Sequence, residues 1–153
     1  MTKLSTLVVA FFALTIFMNN APASAAELVK YKIVGNAIPK SLTGKPGDAK
    51  RGRKLAINRK KGNCLACHTM PVPEQADHGQ IGVTLFAVAK RYNIGQLRLR
   101  LVDPKKVIPS TIMPAFYRNT GLHRVQKKWK GKTILNAQEI EDILAYLMTL
   151  KTF

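Results

Sequence analysis

Acidic side chains are scarce in this chain: 8 Asp and Glu stand against 25 Lys and Arg, giving a formal net charge of +17 over 153 residues. Cysteine is scarcer still. Two cysteines exclude the disulfide framework that staples many small secreted scaffolds. Beyond the opening residues no apolar run approaches the roughly 20 positions needed to cross a bilayer. No stretch after residue 46 reads as a strand of more than about five residues, and no internal repeat is present, which excludes sheet-based and solenoid folds.

The chain opens on "MTKLSTLVVAFFALTIFMNNAPASA". Lys3 supplies a positive charge, Leu7 to Met18 is almost wholly apolar, and Ala23-Ser24-Ala25 offers small residues for cleavage, so residues 1–25 read as a cleaved export signal. The alternative, an uncleaved anchor, meets an apolar run that is too short and is followed directly by Asn19, Asn20 and Pro22. No stable membrane insertion is expected after cleavage. What remains is long enough to form one hydrophobic core unaided. A basic excess often signals nucleic acid, but an exported protein meets none in normal duty. An acidic partner surface, an anionic substrate, or solubility remain as uses for the charge.

Residues 26–46, with "AIPKSLTGKPG", have no sustained period and are expected to form an extended N-terminal arm on the surface of a domain spanning 47–153. Asp48 is a good N-cap for a basic amphipathic helix predicted to run to Lys60. The stretch "TMPVPEQADHGQIG" is loop, "VTLFAVAKRY" and "GQLRLRLVD" are short and helical by period, and Pro104, Pro109 and Pro114 break up the next segment. Asn136 and Glu139 have capping-box spacing ahead of the apolar stripe Ile140, Ile143, Leu144, Leu147 and Leu150. The expected fold class is therefore all-α with long loops. A small domain so rich in loop usually holds something other than side chains at its centre.

Both cysteines and one of the three histidines fall in a single pentapeptide, "CLACH" at 64–68. A thioredoxin-type disulfide requires a preceding strand in a βαβ context, which is missing. Zinc requires more ligands than the motif supplies. Covalent haem attachment fits: thiols separated by two residues on a tight turn can add across two vinyl groups of one porphyrin edge, and the adjacent imidazole then faces the iron. Cys64 and Cys67 are the expected thioether positions and His68 the proximal ligand.

Met70, His78, Met113, His123 and Met148 are the candidates for the sixth iron position. Met70 is too close to His68 to reach the opposite face. Met148 sits in an apolar helix as a core residue, and His78 and His123 lie in polar loops as solvated side chains. Met113, in "PSTIMPAFY", is held extended by Pro114 and approached through Pro109, so its thioether is the expected distal ligand, with a core position as the alternative. Histidine and methionine together favour the reduced iron and leave no open position, which suits electron transfer. An enzyme or gas sensor with an open haem position is the competing reading.

With these motifs in place, the chain resembles the class I cytochromes c, in which a small residue on the first helix packs on an aromatic of the last; Gly52 and Tyr146 match. The resemblance narrows through "IPKSLTGKPGDAKRGRKLAINRKKGNCLACH", "GQLRLRLVDPKKVIPSTIMPAFYR" and "GKTILNAQEIEDILAYL" to the SoxX-type small subunits of SoxAX complexes in bacterial sulfur oxidation, covering about Ile38 to Leu150. It implies one covalently attached haem c, a periplasmic location, and a heterodimer with a SoxA-type cytochrome subunit. It also implies a SoxYZ-type carrier protein as the substrate of the complex, thiosulfate joined to the carrier's cysteine, and a soluble electron acceptor. On that reading the chain is the electron-transfer subunit of an L-cysteine S-thiosulfotransferase complex and has no catalytic residue of its own. The family usually has a proline after the glycine of the loop beyond the haem histidine; here Val83 follows Gly82, and its carbonyl is expected to orient His68 equally well. A free-standing shuttle, steered by the lysines of the first helix and "KKWKGK" at 127–132, is the alternative.

Overall fold

The computed structural model describes residues 28–152; the export signal read at 1–25 lies outside them. Among the described residues there are four helices, α1 (Ala49–Ile57), α2 (Val88–Arg91), α3 (Ile94–Val102) and α4 (Ala137–Leu147), with single 3-10 turns at Cys64–Ala66, Pro104–Lys106 and Lys127–Trp129. Among the described residues there is no β-strand, only an isolated bridge between Val34 and Ala37. The fold is all-α.

Helix ends follow local chemistry. Asp48 caps α1 by accepting the Arg51 amide, and the Asn136–Glu139 capping box opens α4 as its spacing requires. A second box, Asn93 with Gln96, starts α3. Two predicted helices are shorter than their periodicity suggests. In α1 the chain leaves helical geometry at Asn58, short of the expected Lys60 boundary, because the Gly62 amide turns back to the Leu55 carbonyl at 3.1 Å. In "VTLFAVAKRY" only Val88–Arg91 is helical, since Ala87 takes a left-handed φ of 51° that no α-helix accepts.

The centre of the fold is the crossing of α1 on α4. Ile140, Ile143, Leu144, Leu147 and Leu150 are all buried, and the stripe meets α1 where side chains vanish. A Cβ on Gly52 would overlap the Asp142 carbonyl and lie 2.9 Å from the Ile143 nitrogen; one on Gly47 would overlap the Glu141 carbonyl. Backbone therefore touches backbone. The crossing point is Asp142–Ile143, one turn before the buried Tyr146 that sequence matching paired with Gly52.

The N-terminal arm is irregular, as its breakers require, yet it does not simply lie on the surface. Ile38 and Leu42 are buried, the Ile38 amide donates to the Gly95 carbonyl at 3.0 Å, and the Leu42 amide donates to Glu141 Oε1 at 2.8 Å. Glu141 also takes a two-pronged hydrogen bond from Arg98 of α3, at 2.8 and 2.9 Å, while Arg98 Nη1 donates to the Ile38 carbonyl at 2.7 Å. Arg98 and Glu141 are only 2% and 4% exposed. This ion pair ties arm, α3 and α4 together. Beside it, burial works against ionisation of Asp142, but hydrogen bonds from Arg51, the Asp48 amide and Gln138 outweigh it and hold the carboxyl below its usual range.

Candidate functional site

The turn after α1 winds "CLACH" into a tight spiral. Asn63 enters it with a left-handed φ of 49°, and the Cys67 and His68 amides both return to the Cys64 carbonyl, at 3.1 and 2.9 Å. Cys64, Cys67 and His68 are thereby brought together, with the two thiols unjoined. Cys64 packs against the apolar core, and burial pushes its thiol up to about 12. A redox-active CxxC needs the opposite, a lowered thiol that supplies thiolate, so the disulfide reading has no support in the site's electrostatics. Among the described residues no three His, Cys, Asp or Glu side chains converge to hold a metal ion by themselves.

His68 is aimed. Its Nδ1 meets the Val83 carbonyl at 2.6 Å, and since a carbonyl only accepts, Nδ1 carries the proton and Nε2 is the nitrogen left for a metal. The valine at the family's usual proline position thus performs the orienting role expected of it. Gly82, immediately before, is packed on the imidazole: a Cβ there would come within 2.6 Å of Nδ1 and 2.9 Å of Nε2. The loop is stitched to the spiral through the Gly79 amide on the Leu65 carbonyl, the Gly82 amide on the Cys67 carbonyl, both at 2.7 Å, and the Leu85 amide on the Thr69 carbonyl at 2.9 Å. Sequence reasoning found Val83 and the glycine before it but gave Gly82 no contact with the ring and did not single out Gly79. Only their fixed distance from "CLACH" could have signalled them.

Met113 lies on an irregular loop that bends at Met113 itself, and is partly buried against the core cluster that Cys64 also packs on. That loop is held on both sides. Lys105 Nζ donates to the Thr111 carbonyl at 2.6 Å before it, and the Phe116 and Tyr117 amides bond the Leu101 and Val102 carbonyls after it. Of the other candidates, Met70 is fully buried, Met148 caps α4 against the core, and His123 is exposed. His78 differs from the solvated side chain expected: its Nδ1 accepts the Met70 amide at 3.4 Å and its Nε2 is buried without a partner among the described residues.

Two thiols and a fixed imidazole on one spiral, with a glycine that leaves space only for that ring, match donors of a covalently held haem, and Met113 adds a thioether on a hydrogen-bonded loop. Apolar side chains stand exposed on both loops: Ile81 and Val83 at 73% and 65% flank Gly82, and Ile112 at 76% precedes Met113. No helix of the described residues is long and apolar enough to cross a membrane.

The family model for cytochrome c matches residues 49–151. The crystal structure of SoxXA from P. pantotrophus is similar at a TM-score of 0.73 and 36% sequence identity, over 79% of this chain and 94% of that one. No curated protein sequence matches.

Proposed function

This chain belongs to the cytochrome c family, as a SoxX-type cytochrome, and on that premise we propose that it is the electron-transfer subunit of a thiosulfate-oxidising, SoxAX-type complex. The observation that carries the proposal is the aimed His68: a histidine locked through Nδ1, with two free thiols on the same turn, serves haem ligation and little else. The likeness over nearly the full length of a SoxXA chain supports the choice of complex.

Cys64 and Cys67 would hold one haem c through thioethers, and His68 and Met113 would bind its iron. Bound there, the haem supplies a one-electron couple. The chain's own contribution is to fix both ligands in advance, so that little rearrangement accompanies the change of charge, and to leave no open coordination position. A SoxA-type cytochrome is the proposed heterodimer partner and a SoxYZ-type carrier the substrate of the complex. Thiosulfate would become joined to the carrier's cysteine, with the electrons passed to a soluble acceptor. The periplasm is the proposed compartment, in keeping with the export signal at 1–25.

Co-expression with a SoxA-type cytochrome and the c-haem maturation machinery tests this directly. A stable one-to-one complex, with one haem on this chain lost in the Cys64→Ala, Cys67→Ala double variant, is the expected result. A monomer that ignores that partner and reduces an oxidase would return the chain to the free-standing shuttles.

Two substitutions probe the ligands. Met113→Ala is expected to abolish the far-red sulfur-to-iron absorption band, open the iron to carbon monoxide, and lower the reduction potential by about 0.1 V or more. An unchanged band would move the sixth ligand elsewhere. Gly82→Ala is expected to push the His68 ring aside and create a high-spin fraction in the ferric absorption spectrum, because the ring cannot retreat while Nδ1 stays on Val83. A fully low-spin spectrum would show that the loop yields to the methyl group.

A further inference from the structure

Between Arg118 and α4 the chain makes an excursion that the haem reading does not use. From Asn119 to Lys132 it contains no Asp or Glu and carries His123, Arg124, Lys127, Lys128, Lys130 and Lys132. Elsewhere among the described residues every Asp and Glu except Asp77 is held in an ion pair. Asp48 and Asp142 pair with Arg51, Glu74 with Arg53, Asp103 with Arg118, Glu139 with Lys61 and Glu141 with Arg98. None of the cations in 119–132 pairs with a carboxylate among the described residues. A cluster of like charges in one short segment repels itself, and the fold offers it no internal compensation.

The excursion is nevertheless shaped. Arg118, held by the buried Asp103 at 3.0 Å, also donates to the Gly121 carbonyl at 3.2 Å; Asn119 reaches across to the Gly131 carbonyl at 3.5 Å; and the Trp129 amide closes on Gln126 at 2.8 Å. Gly121, Arg124 and Gly131 turn the chain with positive φ. The result is a groove of about 440 Å³, walled by Leu122, Val125 and Trp129 and bordered by His123, Arg124 and Lys130. Lys127, Lys128 and Lys132 extend the positive charge beyond it. Where the excursion closes, the Leu135 amide bonds the Phe116 carbonyl at 3.0 Å, so the groove is pinned beside the Met113 loop.

We infer that residues 119–132 form a docking surface for a protein partner with a carboxylate-rich face. A small inorganic anion fits less well: the groove is far larger than such an ion, Leu122, Val125 and Trp129 stand among its polar and cationic lining, and the cations spread over a surface instead of converging on a point. An aromatic anchor in a pocket with a charged rim is the arrangement that protein interfaces use, the rim setting the encounter rate and the anchor the residence time. The inference goes beyond the haem reading and stands without it.

The test uses the holoprotein and a fluorescently labelled oligoglutamate peptide, with binding followed by anisotropy and by the emission of Trp129, the only tryptophan in the chain. A triple reversal, Lys127→Glu, Lys128→Glu and Lys130→Glu, is compared with a second triple of equal charge change on α1 and the turn after it, Lys50→Glu, Lys54→Glu and Lys60→Glu. The loop reversal is expected to weaken binding about tenfold or more at low salt, with the second triple changing it far less. Trp129→Ala is expected to weaken binding at every salt concentration. Equal losses in the two triples would overturn the inference, since net charge alone would then account for binding. So would displacement of the peptide by millimolar thiosulfate or sulfate at constant ionic strength, which would make the groove a small-anion site. Haem absorption and reduction by a small mediator, recorded on every variant, keep failure of this surface distinct from failure of the electron-transfer reading.

Discussion

Arg98→Met is expected to destabilise the protein by about 3–5 kcal/mol, because it strands a buried carboxylate. Glu141 is 4% exposed and receives three hydrogen bonds, two from Arg98 and one from the Leu42 amide. Methionine fills much of the arginine's volume and none of its donors. The arm would also lose the bonds from Arg98 Nη1 to the Ile38 and Pro39 carbonyls. The double variant Arg98→Met, Glu141→Leu is expected to recover most of the loss, since removing both charges also removes the desolvation cost. Urea unfolding of the two single variants and the double measures the coupling directly. Amide exchange in residues 38–42 should accelerate in Arg98→Met well beyond the global effect. A single-variant cost under about 1 kcal/mol would mean that apolar burial of Ile38 and Leu42, not the ion pair, holds the arm.

Gly52→Ala is expected to have a comparable effect by a different route. The added methyl group would overlap the carbonyl of Asp142, and neither partner can rotate away, because both contacts are backbone within helices. The helices must separate, loosening Ala56, Ile140 and Ile143 around the crossing. Overpacking usually costs about 1–3 kcal/mol, and backbone against backbone lies at or above the top of that range. A melting temperature lower by about 10 °C or more is the expected reading. Gly44→Ala is the control. Gly44 has a φ of +68° and nothing within 4 Å of its added Cβ, so the substitution there imposes backbone strain without collision. If Gly52→Ala melts no lower than Gly44→Ala, the helix crossing is looser than its geometry states.

The glycine at 52 shows how residue identity and residue role separate. Its type is visible in the sequence, and its match to a family position named the helix pair, but the closest approach, onto the Asp142–Ile143 backbone one turn before Tyr146, is visible only in the fold. The buried ion pair was less legible. Arg98 and Glu141 stand 43 positions apart, and nothing in "GQLRLRLVD" or "AQEIEDILAYL" distinguishes them from residues on a solvated face. Periodicity reports which side of a helix is apolar. It does not report which polar residue will be trapped when a third segment closes over that side.

The local chemistry was determined by sequence alone. Cysteine and histidine spacing at 64–68, the caps at Asp48 and Asn136, and the proline-stiffened loop around Met113 are all set within a few residues, where bond lengths and backbone sterics leave few alternatives. Val83 belongs here too, since every non-terminal residue offers a carbonyl and the role needs nothing more. Tertiary structure alone decided where those pieces meet. It curtailed α1 by the return of Gly62 to Leu55, drew the arm inward onto Glu141, set a half-buried His78 on the Met70 amide, and gathered unpaired cations of 119–132 around one groove. The Leu42–Glu141 bond joins residues 99 positions apart; the others are returns over short stretches, and which return forms is selected by closing off water between surfaces that only the whole fold brings together.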